Sequence, residues 1–161
     1  MAFLFRRIDF LTLLNLHNEP VREEWLDAYG HLNEAYYLVP FSNATWVLQE
    51  HFGIGVPYFE ETGCAIYTVE THLRYLKEVR FPAILHIESM ILGVESRKIW
   101  FTHRMLVNDE ECATGEFMTL HFDTRDGRVS PMHKTVIEHL QSSIIDPFPN
   151  WVGRKIKLKQ D

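Results

Sequence analysis

The run Glu24-Trp25-Leu26-Asp27-Ala28-Tyr29-Gly30-His31-Leu32-Asn33-Glu34 holds the residues best placed to do chemistry. Asp27 can act as a general base or as a nucleophile. Asn33 is a good N-cap for a helix over 34–52, and Gly53 is a good stop. The first turn of a helix carries free N–H groups and the positive end of the dipole, so it can hold an oxygen that becomes negative. A backbone donor of this kind changes a rate by on the order of a hundredfold or more. Gly30 permits a tight turn and a close substrate approach. Each residue also has a plain structural role. Asp27 can cap a turn, His31 can be a packed imidazole, and Asn33 can be an N-cap alone.

Other groups stand further along the chain. Glu70 and His72 share one strand face with Thr68 and Arg74. Arg74, Lys77 and Arg80 cluster near one strand end, and Arg97 with Lys98 opens another strand after a turn. Trp25 stands two residues before Asp27 in a segment that reads as a strand, so it is expected on the same side. Tyr29, Tyr36, Tyr37 and Trp46 add aromatic surface. Such walls suit an aryl ring or a quaternary ammonium, the latter by about 0.5–2 kcal/mol per ring; plain core packing is the alternative. No Gly-x-Ser-x-Gly elbow is present. Gly53-Ile-Gly55 follows a helix rather than a strand, and the nine histidines show no metal spacing. The two cysteines, Cys64 and Cys112, make neither a disulfide framework nor a zinc quartet. Buried reduced thiols and a cytoplasmic location are expected, with no metal.

The elements that must position these residues follow from pattern. The chain of 161 residues fits one domain, and its net charge of −6 argues against a nucleic-acid partner. No apolar run is long enough to span a membrane. Between Ala35 and Gln49 there is no charged residue, so the helix is expected to be buried all round, with a kink at Pro40. Period-two alternation over 65–75, 85–92, 99–107 and 112–122 predicts four long strands. Short links between the last strands predict antiparallel neighbours. A second helix is expected from Lys134 to Ser142. The fold class is therefore α+β, a long central helix wrapped by a curled antiparallel sheet. Residues 1–18 read as an N-terminal extension; they crudely resemble a signal peptide, but Asp9 interrupts the apolar run. Residues 19–143 form the domain, and 144–161 read as a solvated tail, proline-rich and then basic.

The string Asp-x-x-Gly-His-Leu-Asn, followed by an aromatic-rich helix and four strands, resembles the hotdog-fold acyl-CoA thioesterases of the 4-hydroxybenzoyl-CoA type. The resemblance covers about residues 20–125. It implies hydrolysis of a small acyl-CoA to free acid and CoA, with no separate cofactor, since coenzyme A is part of the substrate. Asp27 becomes base or nucleophile, and the N–H of Glu34 becomes the oxyanion donor. The resemblance also implies a homodimer, with a tetramer open, and in some members an acid from the second-strand region of a partner subunit, which makes Glu70 a second catalytic candidate. Trp25, Tyr29, Asn33 and His72 become candidates for acyl contact, and Arg74, Lys77, Arg97 and Lys98 for the CoA phosphates. Glu-Trp-x-Asp-x-x-Gly-His, with the later Glu-Thr-His-x-x-Tyr-Leu, is most similar to thioesterases of carnitine breakdown, which act on betainyl-CoA. A hotdog hydratase or dehydratase and a non-catalytic acyl-CoA-binding module are the alternatives.

Overall fold

The computed structural model describes residues 13–158; residues 1–12 of the expected extension lie outside the described residues. The chain forms β1 (Leu14–Pro20), two 3-10 turns (Glu23–Trp25 and Glu34–Tyr37), α1 (Leu38–His51), α2 (Val56–Thr62) and β2 (Cys64–Tyr75). It continues through β3 (Ile84–Glu95), β4 (Lys98–Val107), β5 (Glu110–Asp123), β6 (Arg128–Val129) and α3 (Lys134–Ser142). The sheet order is β1-β3-β4-β5-β2, antiparallel throughout, with the short β6 on β5. Register shifts interrupt all four long strand pairings. Each bulge bends and twists its strand, so the sheet curls around one face.

Alternation decides which residues that inner face receives. Phe101, His103 and Met105 of β4, with Phe117 of β5, point inward and are buried. Phe41 of α1 stacks on His103 and meets Phe117 edge-on, so α1 lies on this face. This is the expected α+β hotdog arrangement. His103 is fully enclosed there. Its Nε2 lies 3.0 Å from Thr45 Oγ1 and its Nδ1 2.9 Å from Ser89 Oγ. Because Thr45 donates to the Phe41 carbonyl, its oxygen is left to accept from Nε2–H.

Four expectations change. The helix is not continuous from 34: a 3-10 turn precedes α1, and Pro40 falls in the first turn of α1, where its missing N–H breaks no bond within that helix. Nor is α1 buried all round. Phe41, Ala44, Thr45 and Leu48 form its buried stripe, while Leu38, Val39 and Trp46 are exposed. β1 starts at Leu14, inside the expected extension, because Leu14–Pro20 pairs with β3 along one sheet edge. The segment from 144 onward is not simply solvated. Ile145 and Trp151 pack with Met90 and Leu92 on the outer face of the sheet, and Trp151 Nε1 donates to Thr102 Oγ1 at 3.0 Å. Asp146, Pro147, Phe148 and Asn150 between these anchors are exposed, as are all described residues after Val152. α2 is an addition to the expected elements; Pro57 in its first turn and left-handed Gly63 at its end are its signals.

Candidate active site

The segment before α1 folds back on itself. Asp27 N donates to His31 O at 2.8 Å, Gly30 N donates to Asp27 O at 3.1 Å, and Leu26 bridges Leu32. Gly30 closes this turn at φ 76°, a left-handed conformation that glycine adopts without strain. The expected strand here is instead a 3-10 turn at Glu23–Trp25 followed by this tight loop. Trp25 therefore does not share a strand face with Asp27. It is 5% exposed, stacks against Tyr36, and has the Arg22 guanidinium 5.0 Å from its ring. Tyr29, at 82% exposed, stands out from the turn into solvent.

Asp27 itself is fixed by the loop it starts. Its Oδ1 accepts from Tyr29 N at 2.8 Å and from His31 N at 3.1 Å. The His31 amide is the main cause holding its carboxyl below the usual range; partial desolvation opposes it, and the Tyr29 amide assists. Asp27 is thus an anion at neutral pH, suited to attack or to orienting water rather than to donating a proton.

The helix start faces the same space. Asn33 is its cap: the side chain accepts from Ala35 N at 3.0 Å, and the carbonyl from Tyr36 N at 2.9 Å. The N–H of Glu34 donates to no other group among the described residues. Asp27, His31, Asn33 and Glu34 line one cleft of about 480 Å³. Its opposite wall is Tyr37, Tyr75, Leu76, Lys77 and Glu78. Leu32 N donates to Val79 O, and His31 bridges Arg80, which locks the two walls together. His31 Nε2 lies 3.0 Å from Glu78 Oε2, without the alignment that a hydrogen bond requires. Arg80 binds the same Glu78 carboxylate, and Lys77 pairs with Glu110.

The remaining candidates lie elsewhere. Glu70, His72 and Arg74 alternate onto the outer face, opposite Met118, Glu116 and Thr114 of β5. Glu70 and His72 line a separate cavity of about 340 Å³ with Trp100, Glu116 and the C-terminal segment at 153–155. The sheet itself separates Glu70 from Asp27 within the protomer. Arg97 and Lys98 sit at the β3–β4 turn, where Lys98 registers with Leu120 and hence with the Tyr67 end of β2. At about 3.3 Å per residue, that end is about 25 Å from Tyr75. Tyr75 and Glu78 are wall residues that sequence reading did not select. The signal for Tyr75 was its place among the inward positions of β2. Among the described residues no group of three or more His, Cys, Asp or Glu is arranged to hold a metal, and no helix is long and apolar enough to cross a membrane.

Known proteins share this architecture. A Staphylococcus aureus protein solved in complex with CoA superposes with a TM-score of 0.81 at 20% identity, covering 89% of this chain and 94% of that one. A solved structure of a proposed thioesterase from Pseudomonas putida KT2440 superposes with a TM-score of 0.78 at 29% identity, covering 91% and 97%. The betainyl-CoA thioesterase of Pseudomonas aeruginosa is 30% identical over 152 residues, 91% of this chain and 96% of that protein. An L-carnitine dehydrogenase/betainyl-CoA thioesterase of Agrobacterium fabrum is 36% identical over 154 residues, and the match spans 91% of this chain but 32% of that relative. Residues 21–154 match the family model described as the Thioesterase-like superfamily. The chain belongs to that family.

Proposed function

We propose that this protein hydrolyses acyl-CoA thioesters to free acid and CoA at the cleft before α1, with betainyl-CoA as its preferred substrate. The observation that carries this reading is the meeting of ionised Asp27 and the uncommitted Glu34 N–H on one cleft. The thioester oxygen accepts from Glu34 N–H and gains charge as the carbonyl carbon is attacked. Asp27 either attacks that carbon, forming an anhydride that water then opens, or takes a proton from the attacking water. In both routes the carbon–sulfur bond breaks and CoA leaves as a thiolate. Lys77 lines the cleft and Arg80 bridges His31 beside it, so these are the basic groups offered to the CoA phosphates. The betainyl preference rests on the Pseudomonas aeruginosa and Agrobacterium fabrum relatives.

We further place the protein in the cytoplasm as a homodimer. Both cysteines are buried and free, which suits a reducing compartment. β2 is a sheet edge of 12 residues that leaves Tyr67 and Val69 exposed, a hazard that pairing with a second copy removes. Light scattering at micromolar concentration is expected to give twice the chain mass; a monomer contradicts the assembly. A thiol-release screen over a panel of acyl-CoAs tests the activity. Release of CoA, fastest from betainyl-CoA, is expected. Binding of acyl-CoA without release favours a non-catalytic module instead.

A further inference from the structure

The cleft that holds Asp27 also has an unusual balance of charge. Three carboxylates line it, those of Asp27, Glu34 and Glu78, against the single ammonium of Lys77. Lys77 is engaged by Glu110, and Glu78 is engaged by Arg80 and faced by His31. Asp27 is held by the amides of its own turn. The Glu34 carboxylate is the member of this set with neither an ion pair nor a hydrogen bond among the described residues. Beside it stands Tyr75, half exposed, whose hydroxyl donates to the Glu34 carbonyl at 3.2 Å. Tyr37 packs edge-on against the Tyr75 ring at 5.1 Å and 77°. The ring is therefore held from two sides while part of it stays open.

We infer that the Glu34 carboxylate and the Tyr75 ring form a subsite for a quaternary ammonium on the acyl group. The inference rests on the reading of the cleft as a thioesterase site, and it names the residues that set substrate preference there. A quaternary ammonium has no N–H to donate, so charge and an aromatic face are what recognise it. In an α-ammonio thioester only two bonds separate the nitrogen from the carbonyl carbon. With the carbonyl oxygen on Glu34 N–H, the cation falls within reach of the same residue's side chain and of the ring anchored to its carbonyl. Burial, and then the charge of Glu34, raise the Tyr75 phenol, so its hydroxyl stays protonated and continues to anchor the ring. The competing aromatic wall is already occupied: the Trp25 ring carries the Arg22 guanidinium and Tyr36.

The test compares kcat/KM for betainyl-CoA and for 3,3-dimethylbutyryl-CoA, which has the same shape with carbon in place of the charged nitrogen. The wild type is expected to prefer the cationic ester by about tenfold or more. Glu34→Gln and Tyr75→Leu are each expected to cut that preference at least about fivefold, and Tyr75→Phe, which keeps the ring, is expected to retain most of it. An unchanged preference in Glu34→Gln and Tyr75→Leu overturns the subsite. Equal wild-type turnover of both esters also overturns it, while leaving the thioesterase reading intact. Release from neither ester overturns both.

Discussion

Two clefts in this molecule hold the same kinds of side chain. The one before α1 offers Asp27, His31 and Lys77 in about 480 Å³. The one on the outer face offers Glu70, His72 and Lys155 in about 340 Å³. They differ in what the backbone does. Beside Asp27 the chain turns twice within eight residues, which aims two amides at the carboxylate and leaves the Glu34 amide uncommitted. On the outer face the backbone is sheet, whose amides lie in the plane of the sheet rather than pointing at the carboxylates above it. Even the neighbouring carboxylate is spoken for there. Glu116 accepts from Trp100 Nε1 at 2.9 Å and from Gly153 N at 2.8 Å, which ties the C-terminal segment down. A carboxylate next to a histidine is therefore a weak sign of chemistry. An unpaired backbone donor facing the same cleft is a stronger one, because it can hold charge that appears only during reaction.

The sharpest way to break this contrast is to remove the amide and nothing else from the backbone. Glu34→Pro does so at small structural cost. Proline is favoured at the first helical position, and Asn33 already has the extended conformation, φ −62° and ψ 142°, that a residue before proline adopts. Release from the neutral 3,3-dimethylbutyryl ester is expected to fall about 10²–10³-fold, with an unchanged far-ultraviolet spectrum. A retained rate removes the helix start from the mechanism.

The outer region is tested through stability. Trp151→Ala empties a buried site and leaves the Thr102 hydroxyl without its donor. The expected loss is about 3 kcal/mol in denaturant unfolding, with turnover at saturating substrate little changed. A large loss of turnover in a variant that stays folded would join the two regions functionally.

A smaller effect separates both clefts from the core between them. Burial, with a lesser push from His17, lowers the His103 pKa from 6.5 to about 3. The unfolded chain therefore binds a proton that the native state refuses. This contribution to stability is complete above about pH 6.5 and declines by about 1.4 kcal/mol per pH unit as pH falls toward about 3. Unfolding measured at pH 7 and pH 5 is expected to show this slope, flattened in His103→Gln. An equal slope in the variant assigns the acid sensitivity to other groups.

Much of this was legible in residue order, and the exceptions share a cause. Short-range rules located the Asp27 turn, the Asn33 cap and α3, because caps and turns depend on neighbours in sequence. Period two set the inward residues of β4, but in β2 the register shift between Thr68 and Glu70 brings Ile66 to the same core as Leu73, which alternation alone does not give. What failed needed knowledge of the other side of an element. The apolar run of α1 did not reveal that Trp46 and Val39 face away from the sheet. The prolines near Asp146 correctly excluded regular structure but hid the anchoring role of Trp151. Residue order also does not show that Glu70 and Asp27 line separate cavities of one protomer. Arg22 above Trp25 likewise could not be foreseen from spacing, since the intervening turn sets it.

The most direct measurement is a side-by-side determination of kcat/KM for CoA release by Asp27→Asn and Glu70→Gln, with both variants checked for folding. Asp27→Asn is expected to lose at least about a hundredfold and Glu70→Gln no more than about threefold. Equal rates in Asp27→Asn and the wild type, or a collapse confined to Glu70→Gln, would contradict the assignment of the chemistry to the carboxylate at the start of the helix.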